Sequence, residues 1–167
     1  MLIGTLVELR HWRRSDAAEV FRICQDPDIQ RWTAVPVPYT EADAVDFVGA
    51  GDDASFAVVD RASGRLAGAI GVLRFQEGVA AVGYWTAPAM RGAGRTSEAL
   101  RLLTEWCFGA RRCARVELVA DVENGASRAV ARAAGFVEEG VLRSRMLHRD
   151  RRIDVVMCSR LSSDPAP

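Results

Sequence analysis

Lysine is absent: all 22 basic residues of the 167-residue chain are arginines. No lysine side chain exists here to be modified, to act as a base or to grip a nucleotide phosphate. Histidine is scarce, with only His11 and His148, and the four cysteines, Cys24, Cys107, Cys113 and Cys158, show no paired spacing. A zinc site or any other metal centre is therefore not expected, and the thiols read as reduced groups of a cytoplasmic protein. No stretch approaches the length of a membrane span, and the first residues show neither a basic run nor a long apolar run, so neither membrane nor signal peptide is expected. An excess of either charge is missing too. The arginines are balanced by 22 acidic residues, which argues against a direct nucleic-acid partner held by bulk charge.

What is present is a chain with about half its residues apolar, long enough for one domain with a real core. No linker or repeat interrupts it, so the expectation is a single domain over residues 1–161 and a disordered tail over 162–167. The stretch 79–96, VAAVGYWTAPAMRGAGRT, organises the rest. Residues 79–87 carry almost no charge and read as a central strand buried on both faces. Pro88 stops it. Arg91-Gly92-Ala93-Gly94-Arg95-Thr96 then exposes backbone N–H groups at the start of a helix over 96–109. Unpaired N–H groups and the helix dipole make such a turn an anion site, and the two arginines strengthen that expectation.

Taken in order, residues 5–10 read as a strand, and Ser15 as the cap of a helix over 16–24 with Val20, Phe21 and Cys24 on one face. Residues 26–39 hold three prolines, Trp32 and Tyr39, and read as an ordered connector. Thr40 and Asp43 form a capping box for a helix with Val45 and Val48 inward. A turn over 49–54 precedes a strand at 56–59, a hairpin turn at 60–65 and a returning strand at 66–75. Turn 76–78 leads into the central strand. The long helix turns Ala99, Leu102, Leu103 and Trp106 inward, with Gly109 as C-cap. Residues 115–121 are a strand. Asn124 caps a helix that ends at Gly135, with Val130 and Ala134 inward. A hairpin over 141–148 and 153–161 closes the chain. Strand, helix and strand across 79–121 place one parallel pair inside an otherwise antiparallel sheet.

Gly83-Tyr84-Trp85, the Arg91-Gly92-Ala93-Gly94 loop, Asn124-x-x-Ser127, Gly135-Phe136, Glu139-Gly140-Val141-Leu142-Arg143 and Asp154 occur in an order and spacing that resembles the GNAT superfamily of acetyl-CoA-dependent N-acetyltransferases. Within it the chain is similar to the RimJ/RimL-like branch of ribosomal-protein N-terminal acetyltransferases. The resemblance covers essentially the whole chain. It implies an α/β (α+β) fold, a mixed, mainly antiparallel sheet of about seven strands with a splayed parallel pair and four helices. It implies acetyl-CoA as cofactor, with Trp85, Thr86 and Ala87 along the pantetheine arm and Arg91, Gly92, Ala93, Gly94, Arg95 and Thr96 around the pyrophosphate. Asn124 would bond the arm and Ser127 would lie near the thioester sulfur, although both residues equally suit helix capping. The acceptor would be a primary amine, a peptide N-terminus or a small molecule such as an antibiotic or polyamine, flanked by Trp32, Pro36, Pro38, Tyr39 and Tyr84. Plain packing accounts equally well for the two connector aromatics. The active species would be a monomer or homodimer.

Two departures from the family pattern stand out. Thr96 replaces the usual Gly or Ala and either crowds the phosphate or lends it a hydroxyl; the second is expected. Ala131 occupies the position where many members carry a tyrosine acid, which leaves Ser127 as the nearest replacement. Amine acetylation also needs a donor to polarise the carbonyl, for which the N–H of Thr86 or a neighbour is suited. Glu117, Asp121, His148 and Asp154 are candidate bases, with Glu117 entered as catalytic beside Ser127 and Thr86. A nucleotide hydrolase is disfavoured because residues 89–96, AMRGAGRT, lack the first glycine and the lysine of the phosphate loop. A dinucleotide site lacks its third glycine. A CoA-binding module without turnover remains as the rival of another class.

Overall fold

The computed structural model describes residues 1–50 and 53–165. In chain order the elements are Leu2–Ile3 (β1), Val7–Arg10 (β2), Ala17–Ile23 (α1), Pro27–Trp32 (α2), Glu41–Gly49 (α3), Ser55–Asp60 (β3), Leu66–Gln76 (β4), Val79–Thr86 (β5), Arg95–Gly109 (α4), Arg115–Asp121 (β6), Gly125–Ala133 (α5), Val137–His148 (β7) and Arg151–Leu161 (β8). The strands hydrogen-bond in the order β1-β2-β3-β4-β5-β6-β8-β7. Pairing is antiparallel except for β5 with β6, whose parallel ladder joins Val79 to Arg115, Ala80 to Val116 and Ala81 to Glu117. Beyond Ala81 and Glu117, β5 continues to Thr86 and β6 to Asp121. The mixed sheet is the one expected, with one more strand and one more α-helix. Among the described residues no helix is long and apolar enough to cross a membrane.

The chain forms two compact units, Met1–Gly71 with Tyr84–Leu102, and Val72–Gly83 with Leu103–Pro167. In the first, Val7, Leu9, Val20, Phe56, Val58, Ile70 and Leu100 are buried. The Thr40–Asp43 capping box forms as expected: Asp43 N–H donates to the Thr40 hydroxyl, and Thr40 N–H to the Asp43 carboxylate. Val45, expected inward, is 58% exposed, while Ala44 and Val48 are buried. Ser15 does not cap α1. The Asp16 carboxylate instead accepts from Arg13 N–H and from the Arg10 guanidinium, closing a 3-10 turn over Arg14–Asp16. The connector contains α2, which sequence reading missed: Asp26 caps it by accepting from Ile29 N–H, and Pro27 takes the first helical position, where a missing N–H costs nothing. The expected turn at 49–54 falls partly outside the described residues.

In the second unit Leu103, Cys107, Val116, Leu118, Ala131, Phe136, Val155 and Cys158 are buried. Along α4 the buried positions are Ser97, Ala99, Leu100, Leu103, Thr104 and Cys107; Leu102 and Trp106 are only half-buried. Trp106 lies instead under the Arg111 guanidinium, 4.9 Å from its ring centre. Ala134, expected inward, is buried just past α5, as is Ala131 within it, while Val130, also expected inward, is only half-buried. Gly109 ends α4 inside the helix. The left-handed residue that turns the chain is Arg112, at φ 54°. The hairpin strands are longer than expected and meet at Arg149-Asp150, both left-handed. The tail, expected to be disordered, begins with a turn in which Leu161 N–H donates to the Asp164 carboxylate and Ser162 N–H to the Ala114 carbonyl. Residues 166–167 lie outside the described part. All four cysteines are free and buried; burial pushes the Cys24 thiol to about 11 and the Cys107 thiol to about 12.

Candidate functional site

The first unit carries the organising turn. Strand β5 is not buried on both faces: buried and half-buried residues alternate from Val79 to Gly83 as the pleat requires, and the alternation shifts by one at Tyr84. Trp85 points inward and Tyr84 and Thr86 are half-buried. A Cβ on Gly68 of β4 would stand 2.3 Å from the Trp85 carbonyl oxygen, so glycine alone lets the two backbones meet there. Ala87 N–H donates to the Ala67 carbonyl at 2.8 Å, and the Ala87 carbonyl accepts from Met90 at 2.9 Å. Ala87 is thus committed on both sides. Strand alternation turns the N–H of Thr86 to the opposite edge of β5. A cavity of about 390 Å³ in this unit includes Ala87 but none of the other expected cofactor residues.

After a 3-10 turn over Pro88–Met90, Gly92 and Gly94 take φ 80° and 75°. The Gly94 carbonyl accepts the first intrahelical bond of α4, from Glu98 N–H at 3.0 Å. The N–H groups of Arg95, Thr96 and Ser97 therefore open the helix with no carbonyl of their own helix to bond. A Cβ on Gly92 would meet nothing within 4 Å, and one on Gly94 only Leu6 Cδ1 at 3.7 Å. Both glycines are required by conformation, and the space beside them is open.

The two loop arginines are not spare cations. Arg91 reaches Asp26 at 2.5 Å and Asp28 at 3.2 Å. Arg95 Nε donates to Asp60 at 2.7 Å. The Ser63 hydroxyl and Arg95 hold the buried Asp60 carboxyl down to about 2. The hydroxyls of Thr96 and Thr86 are 2.6 Å apart, one donating to the other, so the hydroxyl expected to face phosphate is tied to β5. Glu98 accepts from three successive backbone N–H groups, Thr5 at 2.9 Å, Leu6 at 2.7 Å and Val7 at 2.8 Å. Of the connector aromatics, Trp32 is half-buried beneath the Arg31 guanidinium, 4.2 Å from its ring centre. Tyr39 is 5% exposed; burial and the Cys24 thiol raise its pKa.

The second unit carries the other expected residues. Asn124 caps α5 by accepting from Ser127 N–H at 3.0 Å, so the capping role of this pair is observed. Ala131, in the position of the family's tyrosine, is a buried core residue. Glu117 is held by Arg115 at 2.9 Å and Arg74 at 3.7 Å. Arg115 also grips Glu139 through two bonds of 2.7 and 2.6 Å. Arg115 and then the Ser159 hydroxyl hold the Glu139 carboxyl at about 2. Asp121 accepts from Glu123 N–H at 2.8 Å, an Asx turn leading into α5. Asp154 accepts from Ser144 N–H at 2.8 Å. His148 is half-buried opposite Arg151. Asp26, Asp60 and Glu98 were missed by sequence reading. Only Asp26, followed by proline, carried a local signal.

Three comparisons bear on this arrangement. The family model described as an acetyltransferase (GNAT) domain matches residues 7–137. Over 168 aligned positions the chain is 26% identical to an uncharacterized N-acetyltransferase, p20, of Bacillus licheniformis, covering 95% of this chain and 94% of that one. Over 85 positions it is 35% identical to YdaF of Bacillus subtilis (strain 168), described as a candidate ribosomal N-acetyltransferase, covering 51% of this chain and 46% of that one. Its fold superposes with a TM-score of 0.83 on a solved structure of RimL, a ribosomal L7/L12 alpha-N-protein acetyltransferase in complex with coenzyme A, at 21% identity and over 95% of this chain and 96% of that one.

Proposed function

The chain belongs to the GNAT acetyltransferase family, and from that premise we propose that it moves an acetyl group from acetyl-CoA to a peptide α-amine, by direct attack with both reactants bound. The observation that carries the cofactor half is the turn before α4. Two left-handed glycines face open space there, the helix N–H groups follow, and both neighbouring arginines are already neutralised. Such a turn suits a pyrophosphate, which takes its hydrogen bonds from backbone and helix dipole. Gly92, Ala93, Gly94, Arg95 and Thr96 would hold it through their N–H groups, with Arg91 fixing the turn to Asp26 and Asp28. Trp85 and Thr86 would line the arm. Acetyl-CoA supplies an activated thioester.

The residues of this chain then have limited tasks. Thr86 N–H, turned away from β4, can donate to a carbonyl oxygen that gains negative charge. Holding the two reactants in register supplies much of the rest. Glu117, Asp121 and Asp154 are each committed to an arginine or a backbone N–H, so none is poised as a dedicated base. An α-amine has an ordinary pKa of about 8 and offers a neutral fraction near neutrality without one. The peptide reading of the acceptor is supported by what YdaF and RimL are named for.

The test is release of free thiol from acetyl-CoA in the presence of α-amine peptides and of small amines. Release with peptides supports the proposal. Release with small amines alone moves the acceptor to that class, and CoA binding without release marks a binding module. In the same assay, alanine at Glu117, Asp121 or Asp154 should each cost less than about 100-fold in kcat; a larger loss in a folded variant identifies a general base.

A further inference from the structure

The β7–β8 hairpin concentrates charge that the rest of the chain balances. Residues 143–154 hold five arginines, Arg143, Arg145, Arg149, Arg151 and Arg152, against Asp150 and Asp154. All five arginines are exposed. Among the described residues, the guanidinium groups of Arg143, Arg145 and Arg151 have no ion-pair or hydrogen-bond partner. Elsewhere in the chain, arginines such as Arg10, Arg115 and Arg128 are bonded to carboxylates.

The backbone here is shaped as well as charged. Leu142 pairs with Val155 and Met146 with Ile153, so three residues, 143–145, stand opposite the single Asp154. Ser144 sits at φ 50° inside this bulge, and its N–H is held by Asp154. Arg152 Nη1 reaches the Ser144 carbonyl at 3.4 Å. Arg149 and Asp150 at the tip are left-handed as well, at φ 46° and 64°. Arg149 and Asp150 fill the two left-handed positions that a two-residue hairpin turn requires, whereas Ser144 is a left-handed non-glycine inside a strand, and strain of that kind gathers at functional sites. The strand is also an open edge, since β7 ends the sheet order.

We propose that this hairpin is a docking surface for an acidic polypeptide, the segment that follows the acceptor amine. The inference rests on the peptide reading above and names its chemistry. Arginine forks match carboxylates in paired geometry. An extended segment can also add to the free edge of β7 through its backbone. Nucleic acid is disfavoured as the occupant: the bulge and tip, residues 143–152, hold no Phe, Tyr or Trp for base stacking, only His148, and the chain has no net positive charge. Charge and a bulge can also guard an edge against self-pairing, and a role confined to that would show as self-association of the variant tested below.

The experiment separates docking from turnover. Labelled glutamate-rich peptides and their glutamine counterparts, both N-acetylated and so unable to react, are titrated against the protein by fluorescence anisotropy. The glutamate peptide should bind at least about tenfold more tightly, and the Arg143→Glu/Arg145→Glu variant should lose that margin, since exposed ion pairs are worth up to about fivefold each. The margin should shrink as salt rises. With unblocked peptides the same variant should raise the peptide KM and leave the acetyl-CoA KM unchanged. Equal binding of the two peptides overturns the inference. So does tighter, arginine-dependent binding of a single-stranded RNA oligonucleotide, or a variant whose only change is self-association. Binding of the glutamate peptide without thiol release from its unblocked form would retain the docking surface and refute the proposed reaction.

Discussion

Arg91 and Arg95 flank the turn before α4 and are bonded to Asp26, Asp28 and Asp60, whereas Arg143, Arg145 and Arg151 on the β7–β8 hairpin have no acidic partner among the described residues. The same residue type does opposite work in the two places. Around the turn, arginine is consumed in holding the backbone, and the pyrophosphate proposed there would be left to the N–H groups. On the hairpin the guanidinium groups are spread on an exposed surface with their charge intact. Counting arginines near a motif therefore does not measure its attraction for anions; what matters is how many are already neutralised.

The comparison breaks most sharply at Gly94. If backbone groups carry the phosphate, Gly94→Val should weaken acetyl-CoA binding by about 100-fold, the worth of one or two hydrogen bonds to a charged group. The left-handed φ of 75° adds a strain of roughly 1–2 kcal/mol to the fold, a smaller effect read as a modest fall in melting temperature. Calorimetric titration beside a thermal melt checks both. Unchanged affinity in a folded variant would return the phosphate to other groups.

This division was only partly legible in the sequence. The Thr40–Asp43 box, the cap at Asn124, the turns at Gly64 and Gly78 and strand 115–121 were readable because each is decided by residues within a few positions of one another. Helix α2 had its signal in Asp26-Pro27, but prolines and aromatics beyond it drew the segment into a connector. The partners of Arg91 and Arg95 could not be read. Asp26 and Asp60 lie 65 and 35 positions away, and nothing local marks them as the acids that fold back. The bulge at Ser144 was hidden for another reason: its Leu-Arg-Ser-Arg-Met stretch continues a strand pattern, and the groups that hold the break, Asp154 and Arg152, lie across the ladder.

A smaller effect sharpens the claim for Arg95. If its task is to hold Asp60, then Arg95→Gln and Asp60→Asn should each raise the acetyl-CoA KM several-fold. The double variant should do no worse than either single one, as expected for residues acting as a unit. Additive losses would mean that Arg95 also meets the cofactor.

The smallest effect is in acid. Asp60 and Glu139 titrate at about 2 in the folded protein, below their unfolded values of about 3.9 and 4.3. A depressed carboxyl contributes stability above its unfolded pKa and loses it as pH falls toward the folded one. Melting temperature should therefore decline between about pH 4.5 and 2, and Asp60→Asn or Glu139→Gln should each flatten part of that limb. A limb unchanged in both variants would show that these pairs do not set acid stability.

Glu98 receives the N–H groups of Thr5, Leu6 and Val7, and a Cβ on Gly4 would stand 2.6 Å from its carboxylate. On a growing chain this contact has an order in time. Residues 5–7 are made before Glu98 and must wait for about ninety further residues before their partner exists. The whole of Val72–Gly83 is made in the interval, yet belongs to the other unit. A segment made this long before its partner thus cannot be among the earliest to finish folding. Until α4 emerges, three adjacent backbone donors near the N-terminus are open to water, to chaperones and to wrong partners.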